Sequence, residues 1–165
     1  MRRLAPALFA CLTALPVHAD VVENDAIKVF EGKWVQSKDP SQDGILMYLT
    51  QERSQAGEYF SIKCAAGAPS VRVAFPRKPS GKDIGVTVDG AAMRVPAEFK
   101  GRTKDPHFVK GNIFGYALTF ADASAQTAFL EALRKGHMLT VEGQTLPVDL
   151  TGASEAVKEQ ARYCR

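Results

Sequence analysis

The chain has 165 residues and a formal net charge of +3, with 21 basic against 18 acidic side chains. So even a balance excludes a polycationic nucleic-acid binder and an acid-rich disordered tail, and a hydrophobic content of 45% is ample for a packed core. The length suits one domain.

In chain order, residues 1–19 read as a cleavable secretory signal. Met1-Arg2-Arg3 is a short positive start, Leu4 to Leu15 carries no charge, and Val17-His18-Ala19 is a small-x-small cleavage site before Asp20. The apolar stretch is about a dozen residues, too short to span a bilayer core of ~30 Å. Leu8-Phe9-Ala10-Cys11 loosely resembles a lipobox, but Phe9 is too bulky for it. The expected organisation is a signal peptide at 1–19 and a single disulfide-tied β-rich domain at 20–165. That domain is expected to be soluble, and periplasmic or secreted from a Gram-negative bacterium.

Ile27–Gln36, with the only tryptophan at Trp34, reads as a first strand, and Lys38–Gly44 as a turn. Ile45–Thr50 is an apolar strand, and the polar Gln51–Gly57 a hairpin loop. Tyr59–Cys64 alternates, as do Val71, Val73 and Phe75, then Ile84, Val86 and Val88. Asp89-Gly90 marks a tight turn into Ala92–Val95. Lys100–Asn112 is expected to be a long basic loop, and Phe114, Tyr116, Leu118 and Phe120 a further strand. Asp122 or Ser124 caps a helix running to Lys135, with Ala125, Phe129 and Leu133 as its apolar stripe and Gly136 as its stop. Strands at Met138–Val141 and Thr145–Leu150 follow, then a last helix opened by Gly152 and Ser154 and ending at Cys164. The fold class is therefore mainly β: an antiparallel β-sandwich or barrel-like sheet with two short helices in the C-terminal half.

Cys11 leaves with the signal, so Cys64 and Cys164 remain and are expected to pair. Cys64 shares a strand face with Phe60 and Ile62, and Cys164 a helix face with Val157 and Ala161, so both sulfurs point inward.

No catalytic constellation is legible, and no cofactor or metal is expected. Asp39–Gly44 opens like a calcium loop, but Thr50 stands where the bidentate glutamate belongs. Neither His107 nor His137 has a nucleophile or ligand partner in sequence. The best site candidate is a basic island. Arg72–Lys110 carries nine basic and four acidic residues. Within it Lys100, Arg102, Lys104, His107, Phe108 and Lys110 are the expected partner-binding residues, with Arg77, Lys78, Lys82 and Arg94 as possible neighbours.

Several motifs resemble the type VI secretion-associated TagO/VasI-like family of exported β-rich proteins. They are Trp34-Val35-Gln36-Ser37 before an Asp turn, Phe60-Ser61-Ile62-Lys63-Cys64, Val86-Thr87-Val88-Asp89, and Asp149-Leu150-Thr151-Gly152 before a helix ending in Cys164. A looser likeness exists to invasion-associated locus B proteins. The resemblance implies an exported, disulfide-tied β fold and transfers no catalytic residue. The function expected is a non-enzymatic accessory or binding protein of a bacterial envelope or secretion system. It would contact an envelope protein, a secretion-system protein or another acidic surface, with no nucleic-acid partner. The alternative is an inhibitor of a secreted or periplasmic hydrolase.

Overall fold

The computed structural model describes residues 21–165; the expected signal peptide lies outside them. Eleven strands form one antiparallel sheet. They are β1 (Val21–Glu23), β2 (Ile27–Phe30), β3 (Trp34–Ser37), β4 (Leu46–Tyr48), β5 (Tyr59–Ala65), β6 (Ala68–Phe75), β7 (Asp83–Val88), β8 (Ala91–Asp105), β9 (Phe108–Leu118), β10 (Met138–Val141) and β11 (Val148–Asp149). The helices are α1 (Gln51–Ala56), α2 (Ala123–Lys135) and α3 (Ala153–Tyr163).

The first six strands meander. The next three return in reverse order, giving β1-β2-β3-β4-β5-β6-β9-β8-β7-β10-β11. A twisted sheet this wide curls. Its inner faces meet in one core, where Trp34 and Phe60 share a cluster with Leu139, Val148 and the helical Phe129, Leu133 and Val157. Trp34 is fully enclosed, edge-on to Tyr48 and Phe60 at ring-centroid distances of 5.3 and 6.0 Å. Helix α3 lies inside the curl against β2–β6, and α2 packs on α3.

The curl does not close by backbone pairing, and β1 and β11 remain the sheet's two edges. Side chains join its two arms instead. Lys33, in the β2–β3 turn, pairs with Asp149 of β11. Arg53 of α1 donates to the backbone oxygens of Leu146 and Pro147 and to Gln144 Oε1 (2.6 Å). Glu58 accepts from the amides of Thr145 (2.7 Å) and Leu146 (3.0 Å) and from the Thr145 hydroxyl (2.8 Å). Gln144 in turn donates to the Tyr59 and Ala74 carbonyls. Arg53 and Glu58 are only 2% and 1% exposed, and buried charges of this kind are held only when paired and hydrogen-bonded.

The expected disulfide is present between Cys64 and Cys164, at a sequence separation of 100 residues and a Cα–Cα distance of 5.2 Å. It ties the end of α3 to β5. In the chain-entropy account a loop of that size contributes about 4–5 kcal/mol. Buried Gln160 lies beside both sulfurs and accepts from Gln36 Nε2 at 3.0 Å. Nearby, Gly44 lies against the Tyr163 ring. A Cβ there would sit 1.9 Å from a ring carbon, and its φ of +54° is also glycine's territory.

Three local expectations are corrected. Ile27–Gln36 is two strands, split by a turn in which Glu31 and Gly32 have positive φ. Gln51–Gly57 is not a loop but helix α1, capped by the Thr50 side chain and stopped by Gly57 at φ 70°. Lys100–Asn112 is not a loop either. It is strand on both sides of the two-residue turn Pro106-His107. Asp122 is the cap of α2, accepting from the Ala125 amide at 2.8 Å. Asp39–Gly44 is a 3-10 turn in which Asp39 accepts from the Ser41 amide.

Candidate binding groove

Strands β8 and β9 are fifteen and eleven residues long, and their far halves extend beyond the core as a ribbon. Phe108 anchors the tip. Expected among the partner-binding residues, it is only 6% exposed, with its ring set against Gly57 at the end of α1. Phe108 is thus a structural residue. The remaining expected residues Lys100, Arg102, Lys104, His107 and Lys110 are all exposed. Asp105 shapes the turn by accepting from the His107 amide at 2.7 Å. Val109, 88% exposed, stands beside them.

At the ribbon's base, ladder register builds a groove across the outer face of the sheet. β5 sends Phe60 and Ile62 inward and Tyr59, Ser61 and Lys63 outward. Ser61 pairs with Arg72, and Arg72 with Ala117; one step along, Tyr59, Ala74, Gly115 and Gly101 form the next row. The small side chains of that second row leave a trough, and a register shift between Phe99 and Gly101 interrupts the ladder beside it. The trough has a volume of about 380 Å³, with Met47 and Ile113 among its apolar walls. Lys63, Arg72, Lys100 and Arg102 line it, against one carboxylate, Asp105.

These cations are unequally matched. Lys100 pairs with Glu98 at 2.6 Å, and Lys63 lies 3.8 Å from Asp43. Among the described residues, Arg72 and Arg102 have no ion-pair or side-chain hydrogen-bond partner, and Arg72 Nε is buried without one. Burial, with the Asp105 carboxylate second, pushes the Tyr59 hydroxyl up to about 12, so it stays protonated at neutral pH.

The other cations of the basic island disperse. Arg94 pairs with Glu142 at 2.9 Å, beyond the groove. Lys78 lies over the rings of Phe99 and Phe114, 5.3 and 5.7 Å from their centroids, on the ribbon. Arg77 and Lys82 are exposed in the β6–β7 connection. Sequence reasoning did not single out Arg72, Lys63 or Tyr59. Each looked like the ordinary solvent face of a strand, and only the register of β5, β6 and β9 gathers them.

His137 lies 3.3 Å from Asp89, whose carboxyl is held low by accepting from the Met138 and His137 amides. Its ring is almost fully exposed, and the pair serves the turn into β10. Among the described residues no cluster of three metal-ligating side chains occurs, and no helix is long and apolar enough to cross a membrane. Comparison with family models, with curated proteins and with solved structures finds no match to this chain.

Proposed function

We propose that the protein is an exported, non-enzymatic accessory or binding protein of a bacterial envelope or secretion system. It holds an acidic protein surface on the β8–β9 ribbon. The observation that carries this reading is a set of exposed cations, Arg102, Lys104 and Lys110, with no ion-pair partner among the described residues and with exposed His107 beside them. They stand on a rigid ribbon pinned by buried Phe108. Unpaired cations on a stiff scaffold attract an acidic partner without an ordering cost in the ribbon.

A covalent Cys64–Cys164 bridge fits an oxidising compartment, in keeping with a periplasmic or secreted location. The motifs resembling the TagO/VasI-like family favour a secretion setting. The hydrolase-inhibitor reading needs a protruding loop to enter a catalytic cleft. A two-residue turn with its following residue seated on α1 fits that less well.

Charge reversal of Lys100, Arg102 and Lys104 together tests the proposal. Affinity capture of a partner from a periplasmic fraction is expected to be lost while the Tm is unchanged. Undiminished capture would remove the ribbon from the reading, and inhibition of a hydrolase in a panel assay would favour the alternative.

A further inference from the structure

We infer that the trough at the ribbon's base is a separate binding site for a small organic anion, a carboxylate or phosphate carried on a flat apolar body. Arg72 is its anchor. The trough shares Lys100 and Arg102 with the ribbon, but its anchor Arg72 and its floor lie on the sheet face, so the inference stands whether or not a protein partner sits at the ribbon's tip.

Three independent features converge. The first is unmatched charge in a partly enclosed place. Four cations line it against one carboxylate, which already accepts from the His107 amide; Lys100 and Lys63 have Glu98 and Asp43 beside them, and Arg72 and Arg102 are the unmatched two. Arg72 sits on the middle strand of the groove, between β5 and β9, with its Nε out of reach of water and without a protein acceptor. A guanidinium presents its N–H groups as a planar fork that suits a carboxylate or phosphate in two-point contact. Arg102 comes from the far side of the same trough and is equally free of a counterion among the described residues.

The second feature is shape. Ala74, Gly115 and Gly101 lie side by side in the ladder, so a flat floor takes the place of a row of side chains. A Cβ placed at Gly115 would find no atom nearer than 3.8 Å, so the space is open and not filled by a neighbour. About 380 Å³ lies within the range of small-ligand pockets.

The third is the apolar lining. Met47, Ile113 and the floor give an apolar body somewhere to lie, while Ser61 provides a hydroxyl beside it. Inorganic phosphate would satisfy Arg72 and leave this surface wet. An uncharged aromatic would fill the trough and leave Arg72 unmatched. An organic anion does both.

Amide-resolved NMR titration of the disulfide-intact protein tests this with four probes: phenyl phosphate, benzoate, benzyl alcohol and inorganic phosphate. Saturable shifts at Ser61, Arg72, Thr103 and Gly115 are expected with at least one of the two aromatic anions, and which of the two binds more tightly identifies the head group. Benzyl alcohol and inorganic phosphate are expected to bind at least about tenfold more weakly. Arg72→Gln should weaken the anion by about tenfold or more, the scale of a lost charge-assisted hydrogen bond. Ala74→Leu, which fills the floor, should abolish saturation in a protein whose groove retains every cation. Lys104→Glu, at the tip, should change the affinity less than about twofold, since exposed charges at a distance are screened. The inference is overturned if neither aromatic anion gives saturable shifts at low-millimolar concentration. It is equally overturned if Ala74→Leu binds as the parent does, or if inorganic phosphate matches phenyl phosphate.

Discussion

Arg53 stands on helix α1 and Arg72 on strand β6, yet their guanidinium groups meet opposite surroundings. Arg53 is buried; its Nε lacks a partner, as that of Arg72 does, but its two terminal nitrogens donate to Leu146, Pro147 and Gln144, while Glu58 takes up the amides next to them. Burial pushes Arg53 down from its ordinary pKa, and Glu58 opposes that shift. Arg72 faces the groove with no acceptor among the described residues, in the company of three other cations. In the first region charge is used to fasten a curled sheet that backbone pairing leaves open. In the second it is left unmatched on a face the fold does not need to fill. The difference teaches where to look for function: charge that the protein satisfies itself belongs to the architecture, and charge it leaves unsatisfied awaits something else.

The sharpest way to break this division is at the fastening. Glu58→Ala strands two buried amides and removes the carboxylate whose charge offsets the burial of Arg53, and should cost about 3–5 kcal/mol in urea unfolding, the scale of two buried donors left unsatisfied beside a buried charge. A loss under about 1 kcal/mol would mean that the β10–β11 connection is held by something else. Next in size is the covalent tie. Cys64→Ser with Cys164→Ser should lower stability by about 2–5 kcal/mol, read as a fall in the denaturation midpoint equal to that of the wild type under reductant.

The Lys33–Asp149 pair gives a smaller, pH-dependent effect. Hydrogen bonds from Lys33 first, and then Thr151, hold the Asp149 carboxyl at about 2, below its ordinary 3.8. The unfolded chain therefore binds the proton more readily than the folded one. The pair's contribution is fully present above about pH 4 and is lost as pH falls through about 2. Both side chains are more than a third exposed, so solvent screening keeps it modest. Asp149→Asn should flatten that part of the acid-unfolding profile and leave stability at neutral pH little changed. Smallest of all is the effect of the ribbon on folding: reversing Lys104 or Lys110 should move stability by less than about 0.5 kcal/mol, while the proposed partner capture should fall.

These contrasts also explain what could be read from the sequence. Tyr59–Cys64, Val71–Phe75 and Ile84–Val88 each bury one face, so alternation exposes them, and Phe114–Leu118 alternates in sequence although only Leu118 of its apolar series is fully buried. The same inward faces pointed Cys64 and Cys164 at each other. The ribbon escaped notice because period-two patterning needs a buried face, and from Phe99 to Lys110 only Phe108 is buried. Helix α1 has six residues and no apolar stripe, and a buried arginine holds it instead. Thr50 followed by Gly57 was the available signal, a cap and a stop seven residues apart. Of the site, the cations at Lys100 and Arg102 were legible as an excess of charge. Arg72, Lys63 and the flat floor were not, because they are assembled by pairing between strands up to three positions apart in the chain order.

The most direct test sets the two kinds of arginine side by side in one experiment, the urea unfolding of Arg53→Gln and Arg72→Gln. The account predicts that Arg53→Gln loses about 3 kcal/mol or more. It predicts that Arg72→Gln stays within about 0.5 kcal/mol of the parent, or gains slightly as crowded positive charge is relieved. Equal losses in the two variants would show that Arg72 is also part of the framework, and would contradict the division between fastened and waiting charge.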